Sequence, residues 1–166
     1  MGRELTAKQL QQEAMDFRSR FKTILLATTN AEGIADASYS PCTTDESGST
    51  CIFVSELAQH TKNLFANPHA SLMFIADESD SRNLFARKRL VLSADAEALP
   101  RENSDWVDIM ARMKDAHGGT IDLLASLPDF HLFRFKVREG TYVRGFGQAF
   151  SILNDQLEID PERRTR

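Results

Sequence analysis

The stretch from Cys51 to Pro68 constrains this chain more than any other, because its residue period changes part-way along. Cys51-Ile52-Phe53-Val54 is a β-branched and aromatic run that suits a strand. Leu57, Ala58, Leu64 and Phe65 then recur at helical spacing. Asn67-Pro68 stops the helix, since a proline disfavours the helical conformation of the residue before it. A strand therefore feeds a short helix. Ser55, His60, Thr61, Lys62 and Asn63 crowd the junction, where a helix start offers unpaired backbone N–H groups and the positive end of its dipole. That set of donors suits an anion, a phosphate above all. The same residues equally suit the solvated face of a surface helix.

Around this junction the chain reads as strands with helices between them. Leu10, Ala14, Phe17 and Phe21 recur every three or four residues, which predicts a helix over 5–21 packing on one side. Residues 22–29 form a strand, Asn30-Ala31-Glu32-Gly33 a hairpin turn, and residues 34–41 the return strand. Residues 50–55 and 69–76 are further strands, and Asp77-Glu78-Ser79-Asp80-Ser81 is a polar loop. Residues 90–99 continue as a long strand headed by Arg87, Lys88 and Arg89, a basic cluster that suits either solvent or an anionic ligand. A second long helix is predicted over 100–116 and a short one over 120–126. Two last strands follow, over 130–137 and 141–150, turning at Glu139-Gly140. Gly145-Phe146-Gly147-Gln148 interrupts the second of these, as glycines do at a bulge or where a ligand comes close.

Composition excludes some partners. With 166 residues, 42% apolar and 27% charged, the chain fits one α+β domain over 1–153, with 154–166 as a polar tail expected to fray. A net charge of −4 argues against nonspecific nucleic-acid binding, which needs a basic surface. No signal peptide opens the chain and no apolar run approaches a membrane span, so a cytoplasmic protein without membrane attachment is expected. Cys42 and Cys51 are expected as free thiols.

The spacing of Ser55, His60-Thr61-Lys62-Asn63-Leu64 and Asn67-Pro68, followed by Ala70-Ser71-Leu72, resembles the flavin mononucleotide (FMN)-binding split-barrel superfamily of pyridoxamine-phosphate-oxidase-like proteins. There this segment holds the flavin phosphate. Further strings between about Phe17 and Phe150 resemble one branch of it, the haem-utilisation proteins. They include Leu26-Ala27-Thr28, Ser38-Tyr39-Ser40-Pro41, Leu84-Phe85-Ala86-Arg87-Lys88-Arg89-Leu90, Asp129-Phe130, Leu132-Phe133-Arg134 and Gly145-Phe146-Gly147-Gln148-Ala149.

The resemblance implies a six- to seven-stranded antiparallel split β-barrel with peripheral helices, assembled as a homodimer with ligand sites in clefts between subunits. It implies FMN as cofactor and a flavin-dependent oxidoreductase acting on a small redox ligand. The alternative is haem, for degradation or storage. The implied cofactor residues are Ser38, Ser55, His60, Thr61, Lys62, Asn63, Arg87, Arg89, Gly145 and Gly147.

Two departures stand out. The arginine and histidine substrate signature of pyridoxamine phosphate oxidase itself is not found, so vitamin synthesis is not expected. Haem-degrading relatives ligate iron through a histidine in a C-terminal tail, whereas the histidines here are His60, His69, His117 and His131. No metal ligand is expected, and His60 is the candidate only if haem is bound. No Ser-His-Asp ordering, glycine-rich nucleotide loop or cysteine metal cluster in the sequence points to another chemistry.

Overall fold

The structure is a computed structural model that describes residues 4–164. Helix α1 (Ala7–Arg18) opens with a reciprocal cap, in which the Thr6 hydroxyl accepts from the Gln9 amide and the Gln9 side chain accepts from the Thr6 amide. Its Leu10, Ala14 and Phe17 are buried, as their spacing predicts. Phe21 lies past the helix end and packs edge-on against Phe17 at 4.9 Å.

The strands are β1 (Thr23–Thr29), β2 (Ala35–Pro41), β3 (Thr43–Thr44), β4 (Thr50–Ser55), β5 (His69–Ile75), β6 (Arg89–Leu99), β7 (Phe130–Gly145), β8 (Gln148–Ile152) and β9 (Ile159–Arg164). They pair antiparallel in the order β2-β1-β5-β6-β7-β4-β3, with β8 on β7 and β9 on β8. Helices α2 (Gln59–Ala66), α3 (Trp106–His117) and α4 (Thr120–Ala125) lie between them. This is the expected α+β split barrel, with nine strands among the described residues rather than six or seven.

Three sequence expectations change. Glu139-Gly140 is not a turn: β7 runs unbroken for 16 residues, because all of β6 pairs along it through a bulge at Arg138. Gly140 sits inside this ladder, and a Cβ there would lie 2.6 Å from the Val91 carbonyl oxygen. The turn falls instead at Phe146-Gly147, where Gly147 takes a φ of 67° to close the β7–β8 hairpin. The stretch read as a fraying tail forms β9. Leu157 and Ile159 are buried in the main core, and their contribution to it outweighs the polar composition around them. The second long helix also starts later, at Trp106, after turns over 100–105.

β7 organises the barrel. Its first half pairs with β4 and its second half with β8, both on the edge opposite β6, so the sheet divides there. Leu26, Leu72, Phe74, Leu90, Leu92, Phe135 and Tyr142 fill the interior beneath α1. A second core under α3 and α4 gathers Cys51, Phe53, Leu99, Ile109, Met113 and Leu132. Glu13 fastens α1 to the barrel by accepting from Tyr142 Oη (2.8 Å), Lys88 Nζ (3.0 Å) and Arg144 Nε (2.9 Å).

Candidate functional site

The junction from β4 into α2 is built by Ser55. Its hydroxyl donates to Asp129 Oδ2 at 2.7 Å and accepts from the Leu57 amide at 3.1 Å, while its carbonyl takes the Ala58 amide. The helix therefore begins at Gln59, two residues later than the leucine spacing suggests, and Leu57 stands in solvent. Ala58, at the cap position, has no side-chain acceptor. The amides of Gln59 and His60 find no partner among the described residues, leaving the donor edge that a helix start provides.

Four of the singled-out side chains divide by direction. Asn63 turns inward: its amide donates to Thr28 Oγ1 at 3.0 Å and its carbonyl accepts from Gln59, which ties α2 to β1. Thr61 is fully buried, and its hydroxyl has no hydrogen-bond partner among the described residues. Lys62 is exposed. His60 is half-buried, with Nδ1 at 3.0 Å from the Ser38 hydroxyl.

The Ser38 hydroxyl also lies 3.4 Å from the Leu26 carbonyl. With its proton on that carbonyl it accepts from His60 Nδ1–H and Nε2 keeps a lone pair; with its proton on Nδ1, Nε2 carries the ring N–H. Burial lowers the His60 pKa against the opposing pull of Asp36, so the ring is held neutral. A neutral imidazole whose other nitrogen is anchored to an oxygen is the form that ligates metals.

The structure also places His131, one of the four histidines weighed in the sequence, and adds Glu56 and Phe65 beside it. His131 Nε2 lies 2.6 Å from Glu56 Oε1, and Phe65 sets its ring edge-on to His131 (5.0 Å) and Phe133 (5.2 Å). The signal was the β4–β7 pairing, which puts Val54 opposite His131 and Ser55 opposite Phe130. Around α2 the structure thus places an imidazole against β2, a carboxylate-bound histidine and the exposed Phe65 against β7, and a lysine without a side-chain partner among the described residues.

Residues 10–144 match the family model described as pyridoxamine 5'-phosphate oxidase. This chain belongs to the pyridoxamine 5'-phosphate oxidase family. Within it, the chain lies on the branch of the haem-utilisation proteins. It is similar to the haem oxygenase HutZ of Vibrio cholerae, with 40% identity over 149 residues, covering 90% of this chain and 84% of the relative. The crystal structure of HutZ, there described as a haem storage protein, superposes with a TM-score of 0.71 at 40% identity, over 76% of this chain and 88% of that one. Campylobacter jejuni ChuZ superposes with a TM-score of 0.82 at 30% identity, over 98% of this chain and 68% of that one.

The remaining residues implied by the family resemblance lie elsewhere on the sheet. Arg87 and Arg89 stand at the head of β6, with Gly145 and Gly147 at the β7–β8 hairpin, and β1 and β5 separate that region from β2 and Ser38. Arg87 donates Nε and Nη2 to the Ala76 carbonyl and faces Glu78 at 3.7 Å. Arg89 Nη1 donates to the Arg87 carbonyl at 3.0 Å. One copy of the chain therefore holds these family positions as two groups, on different parts of the fold.

Proposed function

We propose that this protein binds haem beside α2 and serves its degradation, in a cleft completed by a second copy of the chain. The observation that carries the reading is the His60 imidazole, half-buried, held neutral and with Nδ1 at 3.0 Å from the Ser38 hydroxyl, which leaves Nε2 as the nitrogen without a protein partner among the described residues. Haem would supply a redox-active iron. His60 Nε2 would ligate it, the exposed Phe65 would offer the macrocycle an apolar surface, and Lys62 would meet a propionate. The Arg87–Arg89 group of the second copy would complete the cleft, since a single copy keeps it apart from α2. That arrangement makes the protein a homodimer.

The names of the haem relatives favour this reading over the FMN-dependent oxidoreductase expected from the sequence. The geometry agrees with them: the Thr61 hydroxyl and the Asn63 amide, expected at a flavin phosphate, face the interior.

Haem titration followed by absorbance tests the proposal. A histidine-ligated spectrum is expected that His60→Ala alone, of the four histidine changes, alters. Adding a reductant in air should then bleach the haem band, whereas a stable reduced band would mean storage. A histidine-type spectrum unchanged in His60→Ala would overturn the assignment. A monomer mass by light scattering with haem still bound would overturn the shared cleft.

A further inference from the structure

On the outer face of the sheet, away from α2, the strand register assembles what the sequence order hides. In the β5–β6 pair His69 lies opposite Asp95 and Ser71 opposite Ser93. Residues two apart on a strand share a face, so these four side chains stand together. His69 Nδ1 is 3.2 Å from Asp95 Oδ1, and His69 Nε2 is 3.2 Å from Ser93 Oγ. The carboxylate can only accept, so Nδ1 carries the proton and Nε2 is left to take one from the serine. Arg138, the bulged residue of β7, donates Nε to Asp95 Oδ2 at 2.6 Å and fixes the carboxylate in turn. Nucleophile, base and orienting acid are thus in hydrogen-bond sequence, the relation that defines a catalytic triad whatever the chain order.

The surroundings suit an acyl group. Ser93 opens on a cavity of about 540 Å³ whose wall includes Ser71, Val91, Arg138, Glu139 and Asp160. The Ser71 hydroxyl makes no hydrogen bond among the described residues, and its register places it beside Ser93, with Cβ atoms roughly 4.5–5.5 Å apart. It and the remaining N–H groups of Arg138 are the donors for a developing oxyanion. Glu139 and Asp160 oppose an anionic substrate. Salt-bridging by Arg138, with a hydrogen bond from His69, holds Asp95 below the usual carboxylate range, so it stays ionised.

We propose that Ser93, His69 and Asp95 form a second, hydrolytic site that cleaves small uncharged or cationic esters, independent of the haem cleft. Ser93 Oγ adds to the ester carbonyl carbon while its proton passes to His69 Nε2. The carbon–oxygen bond to the alcohol then breaks, the alcohol leaving with that proton, and the acyl group stays on Ser93. Water, deprotonated by the same imidazole, adds to the acyl carbon and releases the acid, and the proton returns to Ser93.

The test uses the full-length protein, a fluorophosphonate probe and p-nitrophenyl acetate. Peptide mapping should find the phosphonyl group on Ser93 in the folded protein and not after heat denaturation. Ser93→Ala should abolish labelling, and His69→Gln should slow both labelling and ester turnover by about 100-fold, the loss expected of a general base. Ester turnover by Ser93→Ala at the wild-type rate would overturn the proposal. So would a label on another residue, or no label on the folded wild-type protein, which requires no variant to fold.

Discussion

Replacing Thr61 with valine should stabilise this protein, although it removes a polar group from the helix nearest the candidate site. The Thr61 side chain is fully buried and its hydroxyl has no hydrogen-bond partner among the described residues. A buried hydroxyl left unsatisfied costs roughly 1–3 kcal/mol relative to a satisfied or absent one. Valine keeps the same branched shape, opens no cavity and has a similar helix propensity, so no opposing cost of that size arises. At the lower end, about 1 kcal/mol, the midpoint of thermal unfolding rises by about 2–4 °C for a chain of this length. Circular dichroism melts of the ligand-free protein at neutral pH measure it, with a urea titration to check that the m-value is unchanged. A fall of the same size would refute the reasoning, because it would show that the hydroxyl is satisfied. Asn63→Ala on the neighbouring position should move the other way by about 2 kcal/mol, since it leaves the buried Thr28 hydroxyl without its donor.

Gly140→Ala should destabilise by about 3 kcal/mol or more, because its Cβ would press on the Val91 carbonyl at 2.6 Å and on Leu92 Cδ2 at 2.7 Å in the middle of the β6–β7 ladder; a melt within about 2 °C of wild type would contradict this. Burial raises the Glu13 pKa, but hydrogen bonds from Tyr142, Lys88 and Arg144 outweigh it, so the folded carboxyl titrates below its ordinary 4.5. Its contribution is complete above that value and lost as pH falls through the folded pKa, so Glu13→Gln should flatten the acid limb of the stability–pH curve, and a parallel shift at every pH would count against the linkage. Burial pushes the thiols of Cys42 and Cys51 up to about 12, so a disulfide reagent at pH 8 should modify neither until urea unfolds the chain; rapid reaction of the native protein would show an opening not seen in the structure.

Much of the architecture was legible because local signals agree with it. The period-two and period-3.6 patterns, the Asn30–Gly33 turn and the Asn67-Pro68 stop mark β1, β2, β4, β5 and α2 to within a few residues. Glu139-Gly140 misled because a glycine inside a paired strand and a glycine at a turn look alike until the partner strand is known. The polar string after Leu153 hid β9, since two buried apolar side chains, Leu157 and Ile159, suffice to dock a short strand on an existing edge.

Sequence by itself determined the α+β class and the polar character of the β4–α2 junction, because those depend on residue type and spacing along the chain, and the family and split barrel followed from the resemblance its strings carry. Tertiary structure alone decided which junction residues face inward and that the family's site positions fall into two groups. It also decided that His60 leans on Ser38 and that Ser93, His69 and Asp95 stand in a row. The first and third depend on how α2 docks on β1 and β2, and the row of Ser93, His69 and Asp95 on the β5–β6 register, where a shift of one residue would send every side chain to the other face without changing the sequence pattern.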